Sequence, residues 1–251
     1  MPESEVEVPA PQGAPLRGTW RTPDGAGPFP CVAFIHGLTL DRSFFEGTAL
    51  AFAAAGVASL RVDLRGHGSS PGALREQGFH DQVADVAAAY AGLAGLPGAD
   101  ASRRGLLGFS MGGAMAALLS LGTPVKALAL WSPLLKTGLW KDLRHSQYGP
   151  PRDGFQPIWD GILVSERLFS EALGQDPFAA ALAYAGPLLV CHGGKDRNHP
   201  QEASLELAAA RGAAARPVAS WFPPSSGHRW HVDQDRRIRD ALGAAFFQAS
   251  L

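Results

Sequence analysis

Rhythm constrains this chain most. From residue 30 to residue 249, short apolar runs alternate with longer helical patterns. Residues 30–35 (PCVAFI), 57–62 (VASLRV), 105–109 (GLLGF), 126–131 (KALALW), 187–191 (PLLVC) and 217–222 (PVASWF) read as strands. Most are continuous in hydrophobicity, because a strand covered on both faces has no polar side to alternate with. Residues 44–55, 80–95, 112–121, 200–211 and 233–249 read as helices. Strand, helix, strand in repetition is the pattern of a mostly parallel, twisted sheet with helices on both faces. The segments near 5–9 and 16–21 are expected to lead it as an antiparallel hairpin.

Residues 133–182 break the rhythm. They are too long for one crossover, and they hold Trp140, Tyr148, Trp159 and the Gly149-Pro150-Pro151 interruption. Helical stretches are expected near 136–145 and 158–174. A long insertion in a compact scaffold either serves a function or is disordered. The aromatic content favours a packed cap. The expected organisation is one domain over residues 1–251, with a small cap inserted at about 133–182.

Composition narrows the partners. With 46% hydrophobic residues in 251, the chain has apolar material for a sizeable core. A net charge of −1, with both signs interspersed, offers no basic face for nucleic acid. The acidic, Pro-rich N-terminus lacks the basic and apolar regions of a signal peptide, and no apolar run approaches a membrane span. The expected location is therefore the cytoplasm. Cys31 and Cys191 sit inside apolar runs and are expected as buried thiols. Sequence does not separate exposed patches from buried faces, so it gives no oligomeric state.

Acyl transfer at neutral pH needs a nucleophile, a base, an acid that orients the base, and an oxyanion hole. Gly108-Phe109-Ser110-Met111-Gly112 follows the strand GLLGF and opens the helical pattern GGAMAALLSL. The sharp turn needs small neighbours and lifts the Ser110 hydroxyl above the sheet, beside a helix N-terminus. A second Gly-x-Ser-x-Gly, at Gly68–Gly72, precedes no helix and reads as loop. The base belongs after the last strand, where Ser226-Gly227-His228 stands; His231 competes and reads as a surface histidine. The pair offers no helical context or third ligand for a metal. The acid belongs after the preceding strand, at His192-Gly193-Gly194-Lys195-Asp196. The strand ending at Trp131 continues into Ser132-Pro133 and supplies no carboxylate. The backbone N–H groups of Met111 and Leu38 are the candidate oxyanion donors.

Taken together, HGLT, DLRGHGSS, GFSMGG, HGGKDRNHP and SGHRWH resemble the α/β-hydrolase family, in its order and at its intervals. The chain is most similar to small esterases of the feruloyl/cinnamoyl esterase and monoacylglycerol lipase type. The resemblance implies an α/β-hydrolase fold and hydrolysis of carboxylic esters of small to medium acyl groups, with no cofactor. It also carries over Ser110, Asp196 and His228 as triad. Asp63, Arg65, Gly66 and His67 match a loop that braces the site. His199 departs from the pattern, where a small aliphatic residue is more usual. His36, Trp131, Trp140, Tyr148 and Trp159 are the candidate substrate-pocket residues. Thioesterase, peptidase, C–C hydrolase and perhydrolase chemistry use the same scaffold, as do non-catalytic ligand-binding relatives.

Overall fold

The computed structural model describes residues 1–11 and 13–251, without the side chains of Trp140 and Leu143. Its strands are β1 (Glu3–Val8), β2 (Leu16–Arg21), β3 (Phe29–Ile35), β4 (Ala58–Val62), β5 (Ala99–Phe109), β6 (Ala127–Trp131), β7 (Phe155–Pro157), β8 (Leu163–Ser165), β9 (Leu188–Cys191) and β10 (Val218–Trp221). Its α-helices are α1 (Glu46–Ala54), α2 (Phe79–Gly92), α3 (Met111–Leu119), α4 (Thr137–Tyr148), α5 (Glu166–Leu173), α6 (Pro177–Ala183), α7 (Glu202–Ala213) and α8 (Asp233–Ser250). Every strand and helix expected outside the insertion is present, within a few residues at most boundaries; β5 starts six residues before the run read as its strand.

Eight strands form one sheet in the order β1-β2-β4-β3-β5-β6-β9-β10. β2 runs antiparallel to β1 and β4, and the other pairs are parallel. Alternate residues of a strand face opposite sides of the sheet. Val32, Phe34 and Leu107 accordingly join a core with Phe52, Trp131 and Phe247, under α1 and α8. Ala33, Ile35 and Leu106 join the other core, with Val86, Met115 and Leu207, under the remaining body helices. Cys31 and Cys191 are buried and unpaired, and burial pushes both thiols up to about 12.

Register fixes where loops emerge. Ile35 pairs with Gly108, Phe109 with Trp131, Trp131 with Cys191, and Cys191 with Trp221. Five parallel strands therefore end level, and the loops after them share one edge of the sheet. Ligand sites in open α/β sheets form at this edge.

The insertion between β6 and β9 differs in part from expectation. The first stretch is helical, as α4. The second is not helical from residue 158. Asp160 and Gly161 turn with φ of 58° and 71°, and β7 and β8 form a short antiparallel hairpin around them. An Asp-Gly turn of this sort breaks a helix and suits a hairpin. Only at Ser165, whose hydroxyl accepts from the Arg167 N–H at 3.2 Å, does α5 begin. Glu171 of α5 then accepts from the backbone N–H of His80 at 2.9 Å, at the start of α2. Arg167 bridges Asp81 and Glu171, which fastens the insertion to the body. No helix among the described residues is long and apolar enough to cross a membrane.

Candidate active site

Ser110 sits between β5 and α3 with φ of 57° and ψ of −119°, a conformation that side chains rarely adopt. Close packing holds it there. A Cβ on Gly108 would lie 2.3 Å from the Gly112 carbonyl oxygen, and one on Gly112 would lie 2.4 Å from those of Ile35 and His36. The Ser110 N–H donates to the Trp131 carbonyl at 3.0 Å, tying the turn to β6.

The hydroxyl of Ser110 lies 3.0 Å from Nε2 of His228, and Nδ1 of His228 lies 2.7 Å from Oδ2 of Asp196. A carboxylate only accepts, so Nδ1 carries the proton and Nε2 presents its lone pair to the serine. That is the tautomer a general base requires. Asp196 is held from four directions. Oδ1 accepts from the backbone N–H of Asn198 and of His199, at 2.8 and 2.9 Å. Oδ2 accepts from His228 and from Nε2 of His192, the latter at 3.0 Å. Nε2 of His192 also lies 2.8 Å from the His199 carbonyl, which fixes it as the protonated nitrogen; its Nδ1 accepts from Ser204 at 2.8 Å. Burial opposes the charge on Asp196, but the hydrogen bonds from His192 and His228 outweigh it and hold the carboxyl well below the usual carboxylate range.

His199 does reach the site. Its Nε2 lies 3.3 Å from the Ser110 hydroxyl. Burial, then the neighbouring His228, lowers its pKa well below that of free imidazole, so the ring is neutral. His231 is exposed and outside the constellation. In the second Gly-x-Ser-x-Gly, Ser70 donates to the Asp63 carbonyl at 2.6 Å and accepts from the Arg17 N–H at 2.8 Å, a loop role as expected.

Met111 is the first residue of α3, so its N–H has no intrahelical partner. Leu38 follows Gly37, where a Cβ would meet Ser110 Cβ at 2.9 Å. Both candidate oxyanion donors line the same cavity as Ser110.

A family model described as serine aminopeptidase, S33, matches residues 27–148. Esterase FrsA of Escherichia coli O157:H7 is 31% identical over 152 residues, which are 58% of this chain and 35% of that protein. The chain thus spans about a third of that relative's length. The structure of Est1E from Butyrivibrio proteoclasticus with ferulic acid bound aligns at a TM-score of 0.83 and 19% identity, over 98% of both chains. The esterase domain of a Rhodothermus marinus protein aligns at 0.74 and 20%, over 99% of both.

The chain has the α/β-hydrolase fold.

The cavity has a volume of about 290 Å³ and holds Tyr148 and Trp159 of the insertion beside Ser110, His199 and His228. Trp159 donates its indole N–H to Thr39 at 3.0 Å, so the insertion is latched to the loop that carries Leu38. Two expected pocket residues do not reach the cavity. Trp131 is fully buried, against Phe45 and with the Arg239 guanidinium 4.1 Å from its ring. It ends β6 with its side chain in the core under α1 and α8, and only its backbone serves the site. His36 is also fully buried. Its Nδ1 donates to the Gly37 carbonyl at 2.8 Å and its Nε2 accepts from the Leu64 N–H at 3.0 Å, so both nitrogens are spent on backbone. The side chain of Trp140 lies outside the described residues. Sequence reasoning passed over His192, which lay in a quoted motif without a role, and Arg144, which lines the cavity from α4.

Proposed function

We propose that this α/β-hydrolase is a serine esterase that cleaves carboxylic esters of small to medium acyl groups. Ser110 attacks the ester carbonyl as His228 takes its proton. The N–H groups of Leu38 and Met111 receive the oxyanion, and His228 returns the proton to the leaving alcohol. Water then repeats the sequence on the acyl-enzyme. Asp196 keeps the proton on Nδ1 of His228 throughout. The observation that carries this reading is the pair of contacts Ser110–His228 and His228–Asp196, at 3.0 and 2.7 Å, opening onto a cavity. The names of FrsA and Est1E point the same way. Residues 133–182 then act as a cap over one domain, and Tyr148 and Trp159 as walls of its pocket.

The experiment is hydrolysis of p-nitrophenyl esters of increasing chain length, and of one cinnamate ester, by the wild type and Ser110→Ala. Turnover lost in the variant, with fluorophosphonate labelling of the wild type alone, supports the esterase. No turnover and no labelling would leave a binding protein. The description of the matching family model favours aminopeptidase as the second reading. Cleavage of aminoacyl arylamides in preference to esters would select it.

A further inference from the structure

The cavity above Ser110 carries charge of one sign. Arg144 and Arg229 line it, and no Asp or Glu does among the described residues. Arg229 is exposed to solvent, whereas Arg144 is only 3% exposed. The Arg144 guanidinium lies 4.7 Å from the Trp159 ring and donates to Oε1 of Gln147 at 3.0 Å. The Tyr148 hydroxyl also acts on its charge. Its Nε is buried without any partner. No carboxylate forms an ion pair with it among the described residues. The acid that acts on it at longer range, Asp196, is already committed to His192 and His228.

Burying a guanidinium without a counter-charge is costly. Neutral partners and a ring face offset this in part. Other deeply buried arginines of this chain are better supplied. Arg211 donates to four backbone carbonyls, and Arg239 pairs with Asp240. Arg144 differs from them in facing the cavity, with no acid paired to it among the described residues. A fork of N–H donors in that position matches a carboxylate, whose two oxygens it can take at once.

We propose that Arg144 receives a carboxylate carried by the substrate, so that the preferred substrates are half-esters of short dicarboxylic acids. The cavity, at about 290 Å³, limits them to a few carbons between the two carboxyl groups. Trp159 and Tyr148 hold the guanidinium in place while Ser110 attacks the esterified end. This inference rests on the esterase reading and adds the substrate class to it.

The test compares monoethyl glutarate with ethyl pentanoate, a neutral ester of equal acyl length, by ethanol release from the full chain. The readout is the ratio of the two kcat/KM values. The wild type is expected to favour the half-ester by roughly tenfold or more, the worth of a hydrogen bond to a charged group. Arg144→Gln is expected to remove that preference, and Arg144→Lys to retain part of it. Thermal midpoints of both variants establish that they are folded, and if R144Q is not, the wild-type ratio and R144K decide. Losses that fall equally on both esters mark Arg144 as structural and overturn the inference. Turnover of ethyl pentanoate without preference for the half-ester overturns it too, and leaves the esterase reading standing. Turnover of neither ester overturns both.

Discussion

The ring of His199 stands edge-on to that of His228, with 4.8 Å between centroids and an angle of 78°. Both Nε2 atoms point at Ser110, at 3.3 and 3.0 Å. One hydroxyl proton cannot serve both. Of the two, His228 alone has a ring nitrogen hydrogen-bonded to Asp196, through Nδ1 at 2.7 Å. His199 touches Asp196 only through its backbone N–H, which any residue supplies. His228→Ala is expected to lower kcat by roughly 1,000-fold or more, and His199→Ala by no more than about tenfold. Steady-state kinetics on one p-nitrophenyl ester checks both, and equal losses would make the two histidines partners in the proton transfer.

Asp196→Asn keeps the size of the side chain and removes its charge. The amide NH2 cannot accept from the N–H of His228, so the imidazole is released to the wrong tautomer. A fall in kcat of roughly 10,000-fold is expected, with labelling of Ser110 slowed in proportion. Restored rates at high pH would point to hydroxide replacing the base.

The turn around Ser110 also sets a stability prediction. Gly112→Ala drives a Cβ against two backbone oxygens at 2.4 Å, and backbone yields little. A loss of about 3 kcal/mol is expected, read from the urea midpoint. Gly212, inside α7, has nothing within 4 Å of its Cβ position. Gly212→Ala is expected to gain about 0.5–1 kcal/mol, because alanine restricts the unfolded chain and suits a helix.

Acid should weaken this protein before its carboxylates titrate. Burial, then the neighbouring His36, lowers His67 to about 3. In the unfolded chain a histidine takes up its proton near pH 6.5. Between those values the unfolded state binds one more proton than the native state, so stability falls as pH falls. From pH 7 to pH 5 the loss from His67 alone is about 2 kcal/mol. Denaturant midpoints at the two pH values are expected to differ less in His67→Gln than in the wild type.

Much of the sheet was legible because burial on both faces writes itself into composition. Runs such as PCVAFI and PLLVC have no polar side, and they became β3 and β9. The turn at Ser110 was legible because its glycines follow from close packing of backbone. The insertion was not. Residues 158–174 carry helical spacing, yet Asp160-Gly161 outweighed it with a turn. Aromatic content also misled. Trp131 and His36 sit at strand ends beside the site, but a strand end offers two faces, and theirs are spent on the core and on backbone. Arg144 had no signal at all. Among the described residues no carboxylate pairs with it, and such a relationship is visible only in three dimensions.

The level strand ends have a consequence for folding. Ser110 and His228 are separated by 118 positions, and β10, which delivers His228, is the last strand of the sheet. The serine turn is complete once β3, β5 and β6 have docked. His228, the proposed base, follows β10, so its contact with Ser110 depends on the pairing of β10 with β9. The Ser110 turn and its contact with His228 therefore depend on different strand pairings. Under the proposed mechanism, turnover reports that β10 is seated beside β9.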